Sequence, residues 1–191
     1  MIPLFMIRHG KTRWNAEKRL QGQTDVELSL EGIDGVKKWL LPNDVKNYRA
    51  LSSPMKRARQ TAELLKLDVI IEPRITEMSW GAWEGQHFPD IRERLGDRWP
   101  SYQAMGLDFR PDDGESPRDV QTRLKPWLAE ITVPTVAVSH KGVLQALHAL
   151  ATGWDMIGKP PLEFKDDCGH LFMLEEGRIQ LSDMNIPLVS S

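Results

Sequence analysis

The chain has 191 residues, of which 40% are hydrophobic and 27% charged, with a formal net charge of −2. This length fits one domain over residues 1–191, and the composition is that of a globular protein. The mildly acidic balance argues against a nucleic-acid or membrane-surface binder, and the apolar runs are far shorter than the roughly 20 residues that span a bilayer. We therefore expect no nucleic-acid partner and no membrane partner.

The start of the chain and its cysteine content indicate a cytoplasmic protein. The first residues carry no basic region and no cleavage site, so the opening apolar run is interpreted as structure and not as a signal peptide. Cys168 is the only cysteine, and its acidic neighbours Asp166 and Asp167 disfavour a thiolate. We expect Cys168 to be a structural residue in a reducing compartment.

The first half of the chain alternates short apolar runs with helical patterns. The predicted elements are strands at 2–7, 50–52 and 69–71, and helices at 30–41 and 54–67. Ser29 is the predicted N-cap of the first helix, and Ser53 that of the second, with Pro54 at its first position. This alternation favours a mostly parallel sheet with helices on its faces.

The second half begins with a segment of different character, residues 80–114, which holds three tryptophans and no sustained strand pattern. We interpret it as an insertion that covers a site, with short helices near 89–95 and 99–105. The elements predicted after it are a helix from Ser116 and Pro117 that Pro126 kinks or limits, a strand at 135–140, a helix at 141–151 ended by Gly153, and an edge hairpin with strands at 170–174 and 178–181.

Charged and imidazole side chains stand at three predicted junctions between a strand and a helix. Arg8 and His9 follow the first strand, Arg57 lies in the opening turn of the second helix, and His140 ends the strand that precedes the last helix. Because the carboxyl ends of parallel strands share one edge, we expect these side chains to converge. Two guanidinium groups, two imidazoles and helical N–H groups suit a dianion such as phosphate. Taken alone, Arg8 and His9 could also be a polar strand end.

The spacing of potential ligands gives little support for a metal site. The histidines are far apart, and no pattern such as His-Glu-x-x-His occurs. We expect no metal and no cofactor. His87, His148 and His170 are interpreted as structural or surface residues because no motif surrounds them.

The stretch around His9 resembles the signature of the histidine phosphatase superfamily, the phosphoglycerate mutase-like group. Residues 8–15 match its pattern Arg-His-Gly-x-Thr-x-x-Asn. Further matches occur in the family's order at residues 21–32, 52–62, 77–85 and 138–142. The resemblance covers nearly the whole chain and implies an α/β fold. This is a three-layer α/β/α sandwich with a mostly parallel sheet, one antiparallel edge strand and a small helical insertion over the active site.

The resemblance also implies a role for each matched side chain. His9 is the expected nucleophile, which forms a phosphohistidine, and Arg8, Arg57 and His140 hold the phosphoryl group. Glu77 is the expected general acid and base.

Several residues are secondary candidates. Glu84 is the rival acid, although the family's pattern places the acid ahead of residues 81–85. The expected substrate-binding residues are Thr12, Asn15, Gln21, Gly22 and Lys141. Lys141 departs from the glycine that is usual after the family's second histidine, and it adds a cation at the rim of the site.

Three functions remain open on the sequence. The preferred one is a phosphomonoesterase that acts on a small phosphorylated metabolite. A cofactor-dependent phosphoglycerate mutase is the alternative, and the short chain and the loop at 81–85 weaken it. A non-catalytic phosphate-binding module would require the loss of one of the five key side chains, and none is missing. The protein is expected to be a monomer or a homodimer.

Overall fold

The computed structural model describes residues 1–189. Its strands are β1 (Ile2–Arg8), β2 (Arg49–Ser52), β3 (Val69–Ile71), β4 (Thr135–Ser139), β5 (Cys168–Glu175) and β6 (Arg178–Pro187). Its α-helices are α1 (Arg13–Ala16), α2 (Leu30–Val36), α3 (Lys56–Leu64), α4 (Phe88–Leu95), α5 (Trp99–Ala104), α6 (Pro117–Glu130) and α7 (Lys141–Thr152). Short 3₁₀ turns lie at Val45–Asn47, Pro73–Ile75, Gly81–Trp83, Gly96–Arg98 and Gly106–Asp108.

The strands form one six-stranded sheet in the order β3-β2-β4-β1-β5-β6. Strands β1 to β4 run parallel to one another, β5 is antiparallel to β1, and β6 is antiparallel to β5. The predicted α/β fold and its mostly parallel sheet are confirmed. The strand that opposes the others is β5, which lies one position in from the edge that β6 forms.

Alternate residues of β1 belong to two different core clusters. Leu4 and Met6 pack with residues of α6 and α7, whereas Phe5 and Ile7 pack with residues of α2 and α3. All four side chains are essentially inaccessible to solvent, and burying each contributes roughly 2 kcal/mol. The sheet is therefore covered by helices on both faces, and β1 is held firmly in its middle.

Helix α2 is shorter than predicted and ends at Val36, so the expectation that it reaches residue 41 is wrong. The chain turns after Val36 and pairs with the C-terminal segment. The N–H of Leu40 donates to the carbonyl of Leu188, and Trp39 forms an isolated bridge with Val189. This pairing takes backbone groups that a longer helix would need.

Helix α3 also differs at its start, because Met55 and not Ser53 is the N-cap. The helix begins at Lys56, two residues after the predicted proline start, and ends at Leu64. The Ser53 hydroxyl lies 2.7 Å from Nε2 of His140 and accepts from the N–H of Met55 at 3.3 Å. The Ser53 hydroxyl, which the local sequence predicts to cap α3, therefore binds His140, a residue distant in the sequence.

Helix α6 starts as predicted, at a capping box formed by Ser116 and Asp119. It continues past Pro126 to Glu130, so the expected limit at the proline does not apply. Pro126 lies on the exposed side of the helix, as does Thr122, whose carbonyl loses its N–H partner to the proline. Water can solvate that carbonyl, which reduces the cost of the proline.

The segment 80–114 contains both predicted short helices, as α4 and α5. It has a small apolar cluster of its own, in which Trp83, Ile91 and Leu95 are buried. The predicted hairpin is present as β5 and β6, and β6 extends six residues beyond its predicted end. Within residues 1–189, no helix combines the length and apolar character that crossing a membrane requires.

Candidate active site

The candidate site lies where β1, β2 and β4 end side by side. In the parallel register of β1 and β4, Arg8 stands opposite Ser139. The N–H groups of His9 and Ser53, which follow β1 and β2, donate to carbonyls of β4 at 3.0 Å each. This places the imidazoles of His9 and His140 next to each other, with ring centroids 5.2 Å apart.

The hydrogen bond of His9 fixes which ring nitrogen is free. Its Nδ1 lies 2.7 Å from the carbonyl oxygen of Gly10, and a carbonyl only accepts, so Nδ1 carries the proton. The side chain is 6% exposed. Burial lowers the pKa of His9 well below its usual value, and the charges of Arg8 and Arg57 lower it further. His9 is therefore neutral, with the lone pair of Nε2 available.

His140 is completely buried beside His9. Its Nε2 is bonded to the Ser53 hydroxyl, while its Nδ1 has no hydrogen-bond partner in residues 1–189. Burial lowers the pKa of His140 well below the usual value, as do the neighbouring His9 and Arg57. Both imidazoles are thus neutral.

Arg57 is a fully buried cation held by the loop at residues 22–24. Its Nη1 donates to the carbonyl of Thr24 at 3.0 Å, and its Nη2 donates to that of Gly22 at 2.7 Å. Burial lowers its pKa, and the nearby Glu77 carboxylate opposes that change. The group stays charged because guanidinium does not deprotonate in proteins. Its Nε has no partner in the described part of the chain.

Glu77 is partly buried and lies at the N-terminus of α7. One carboxylate oxygen accepts from the N–H of Met78 at 2.8 Å, and the other accepts from that of Gly142 at 3.3 Å. Burial nevertheless raises the pKa of Glu77 above its usual value, against the lowering effect of these bonds and of Arg57. A raised pKa favours the protonated form of the carboxyl group, which is the form that a general acid needs.

Glu84, the rival acid, is occupied in holding two loops together. Its Oε1 accepts from the N–H groups of Gln23 and Trp80, and its Oε2 accepts from the hydroxyl of Thr24. It also packs against Gly22, whose φ is 52° and where a Cβ would lie 2.1 Å from the Glu84 carboxylate. Glu84 is not on the wall of the cavity described next, so this geometry favours Glu77 as the acid.

A cavity of about 330 Å³ opens at this edge of the sheet. Most of the predicted site residues line it: Arg8, His9, Asn15, Gln21, Gly22, Arg57, Glu77 and Lys141. His140 and Thr12 are buried outside its wall. Thr12 accepts from the N–H of Asn15 at 3.2 Å, and its hydroxyl lies 2.9 Å from Oε1 of Gln21. Thr12 therefore positions two residues that line the cavity.

Another part of the cavity wall is aromatic. It is formed by Trp80, Phe88, Trp99, Tyr102 and Phe109 of the segment 80–114. Trp80 and Trp99 thus face the cavity, whereas Trp83 is buried in the apolar cluster. The site combines a cationic, hydrogen-bonding half with an apolar half.

Several residues at the site were outside the predicted set, among them three polar side chains. Arg19 lines the cavity, Ser53 binds His140, and Asp166 forms an ion pair with Arg8. Ser53 lies inside a matched motif, but the local sequence predicts a helix cap at this position and gives no sign of the contact with His140. Arg19 and Asp166 belong to no matched motif. Arg19 lies in a cluster of cations near the start of the chain, which is a weak signal for an anionic substrate, whereas no pattern marks the contact of Asp166 with Arg8. Among residues 1–189, no group of three or more His, Cys, Asp and Glu side chains could hold a metal ion.

Comparison with known proteins gives one family. A model described as the histidine phosphatase superfamily, branch 1, matches residues 4–187. A probable phosphoglycerate mutase GpmB of Enterobacter sp. (strain 638) is 29% identical over 136 residues, which cover 68% of this chain and 63% of that protein, less than two thirds of its length. A 2,3-bisphosphoglycerate-dependent phosphoglycerate mutase of Methylorubrum extorquens (strain PA1) is 31% identical over 155 residues, 76% of this chain and 73% of that protein.

Solved structures with a similar fold support the same family. A mycobacterial glucosyl-3-phosphoglycerate phosphatase, in complex with VO3, superposes with a TM-score of 0.80 at 26% identity. The match covers 97% of this chain and 100% of that one. The likeness therefore extends over the segment 80–114 as well as the sheet.

The charge of Arg8 is expected to act on His9. In Arg8→Gln the pKa of His9 should rise, because a nearby cation that disfavours the imidazolium is removed. It should remain below the usual value, because burial is the larger cause. NMR titration of the imidazole C–H signals measures both. Lys11→Gln, which removes a cation that pairs with Glu31, is the control, and an equal effect of the two substitutions would contradict the assignment.

Proposed function

Because the chain belongs to branch 1 of the histidine phosphatase superfamily, we propose that it is a phosphomonoesterase that hydrolyses a small phosphorylated metabolite. The observation that carries this proposal is the state of His9. Its Nδ1 is committed to the Gly10 carbonyl, and its neutral Nε2 shares a cavity wall with Arg8 and Arg57. An imidazole lone pair beside two guanidinium groups suits attack on the phosphorus of a bound dianion.

The first chemical step transfers the phosphoryl group to the enzyme. Nε2 of His9 forms a bond to phosphorus while the bond from phosphorus to the ester oxygen breaks. Arg8, Arg57 and His140 stabilise the charge on the three equatorial oxygens. Glu77 gives its proton to the leaving alkoxide, and its raised pKa supports this role.

The second step releases inorganic phosphate. The Glu77 carboxylate takes a proton from water as the water oxygen attacks phosphorus, and the bond between phosphorus and Nε2 of His9 breaks. This restores neutral His9 and protonated Glu77, so the cycle balances without any other reactant. The bonds from Met78 and Gly142 keep the carboxylate in place through both steps.

The aromatic wall supports an apolar or planar leaving group. We propose that the segment 80–114 acts as a lid-like insertion that encloses this group, with Trp80 and Trp99 packing against it. Release of an alcohol held by apolar contacts leaves room for water at His9. This favours hydrolysis over return of the phosphoryl group.

A phosphoglycerate mutase is the second candidate. Arg19 and Lys141 also line the cavity, and two cations could hold the carboxylate of phosphoglycerate. The two curated relatives described above carry mutase names. Against this, phosphoglycerate is small and anionic and would leave the aromatic wall unused.

Purified protein is expected to release inorganic phosphate from phosphomonoesters, and faster from aryl or other apolar esters than from glycerol phosphate. A screen of phosphorylated metabolites by phosphate release measures this preference. The same protein is assayed for interconversion of 3-phosphoglycerate and 2-phosphoglycerate. Strong isomerisation with negligible hydrolysis would refute the phosphatase assignment.

His9→Ala is expected to abolish phosphate release, because it removes the nitrogen that bonds to phosphorus. It should also abolish a phosphoenzyme that is labile in acid and stable in alkali, trapped by rapid quenching and detected with ³²P-labelled substrate. His87→Ala is the matched control, since His87 is exposed and paired with Asp90. Hydrolysis near the normal rate in His9→Ala would show that another group is the nucleophile.

Glu77→Gln is expected to lower kcat by about 10²–10⁴-fold for alkyl phosphates, because the amide cannot donate the proton. The loss should be smaller for p-nitrophenyl phosphate, whose leaving group needs no proton, and binding of inorganic phosphate should persist. Since the acid form is required, the wild-type rate should fall as the pH rises through the raised pKa of Glu77, and the variant should lack this limb. Glu84→Gln is the comparison, and equal leaving-group dependence in the two would count against Glu77.

A further inference from the structure

Arg8 lies on the walls of two cavities. The first is the site described above, and the second, of about 240 Å³, is lined by Lys11, Trp39, Asp166 and Asp167 in addition to Arg8. Asp166 lines only the second cavity and forms an ion pair with Nη1 of Arg8 at 2.5 Å. Asp166 therefore binds Arg8 from the side of the second cavity, whose wall also includes His9 and Asn15.

The remaining nitrogens of Arg8 are available for a ligand. Its Nε is buried and has no hydrogen-bond partner among residues 1–189. In a guanidinium group, Nε–H and one N–H of Nη2 point the same way and form a two-pronged edge, which matches two oxygens of a phosphoryl group. Asp166 binds Nη1, the nitrogen that this edge does not use.

The segment that carries Asp166 is fixed to β6. The side-chain oxygen of Asn185 accepts from the N–H of Lys165, and its amide nitrogen donates to the carbonyl of Glu163, both at 2.9 Å. The N–H of Leu188 donates to the carbonyl of Asp167 at 3.0 Å. Asp166 is therefore supported on both sides.

A buried aromatic side chain adds a fourth anchor. Phe164 is 8% exposed and packs edge-on against the imidazoles of His148 and His170, with ring centroids 5.5 and 5.3 Å away. These contacts tie the segment to α7 and β5 as well as to β6.

We propose that Asp166 is a positioning residue for Arg8: it holds Nη1 so that the edge formed by Nε and Nη2 faces the phosphoryl group at His9. This inference rests on the proposed function. The side chains of Arg8 and Asp166 are 22% and 50% exposed, so the ion pair adds little to stability. Its effect is on the orientation of a long side chain, and small displacements of such a group cost catalytic rate.

Asp166→Ala is expected to lower kcat about tenfold, to change KM less than threefold, and to leave the thermal unfolding midpoint within about 2 °C. The matched control is Asp167→Asn. It removes the same charge from the same cavity, and asparagine tolerates the positive φ of 58° at that position. It should keep kcat within twofold of the wild type. Asp166→Asn, which retains an oxygen for Nη1, should recover most of the lost rate.

Two results would overturn the proposal. Equal kcat in Asp166→Ala and Asp167→Asn would mean that Asp166 acts only through its charge. Tighter binding of inorganic phosphate in Asp166→Ala than in the wild type, measured by calorimetry, would mean that Asp166 competes with the substrate for Arg8. The proposal predicts binding that is weaker than in the wild type.

Asn185→Gly tests the support of Asp166 by β6, since glycine accepts the φ of 58° at this position and removes both side-chain bonds. It should lower kcat in the wild-type background and have little further effect in Asp166→Ala, because both changes act through Arg8. Full additivity would refute that link.

The phosphate-binding measurement separates this inference from the proposed function. A wild-type protein that binds inorganic phosphate but hydrolyses no ester would refute the proposed function. In that case the effect of Asp166→Ala on phosphate binding, compared with that of Asp167→Asn, still tests the positioning role. Unchanged binding in both variants would then refute it.

Discussion

The parallel pairing of β1 with β4 determines where every reactive group of the site lies. Because both faces of β1 are buried, a one-residue slip of this pair would exchange the side chains that fill the two core clusters and would disrupt the packing of both. The register in turn brings His9, Ser53 and His140 to a common edge, where the helices that follow contribute Arg57 and the N–H of Gly142. The precision of the site thus derives from hydrophobic burial several residues away from it.

Within this frame, the environment sets the protonation state of each group. Burial acts in the same direction on all of them, towards the neutral form, so it removes the proton from His9 and His140 and tends to add one to Glu77. Arg57 keeps its charge, because guanidinium does not titrate in this range. One physical cause therefore favours both a free lone pair on Nε2 of His9 and the protonated form of Glu77.

The sequence predicts the parts of this structure that depend on local pattern. The strands around β1 and β4, the capping box of α6 and the C-cap of α7 at Gly153 follow from periodicity and capping chemistry, and the junction residues follow from the sheet edge that they share. The family match at residues 4–187 confirms the resemblance inferred from the motifs. The predictions that are wrong concern non-local contacts. Helix α2 ends early because Leu40 pairs with the C-terminal segment, and the Ser53 hydroxyl binds His140 instead of capping α3. The ion pair between Arg8 and Asp166, which are 158 positions apart in the sequence, is a contact that no local pattern predicts.

The apolar cluster of the segment 80–114 affects which substitutions this protein can accept. Trp83, Ile91 and Leu95 support the aromatic wall without belonging to either core cluster of the sheet. Trp80 and Phe109 of the wall also pack against the core cluster that contains Leu4 and Met6, whereas Trp99 and Tyr102 pack against the cluster of Trp83. Substitutions at Trp99 and Tyr102 therefore put a local unit at risk and leave the phosphate-binding half intact. The loop at Gly22 has no such freedom, because a side chain there would collide with Glu84. Changes in substrate range, by evolution or by engineering, should accordingly come from substitutions in the segment 80–114. The chemistry at His9 should stay the same.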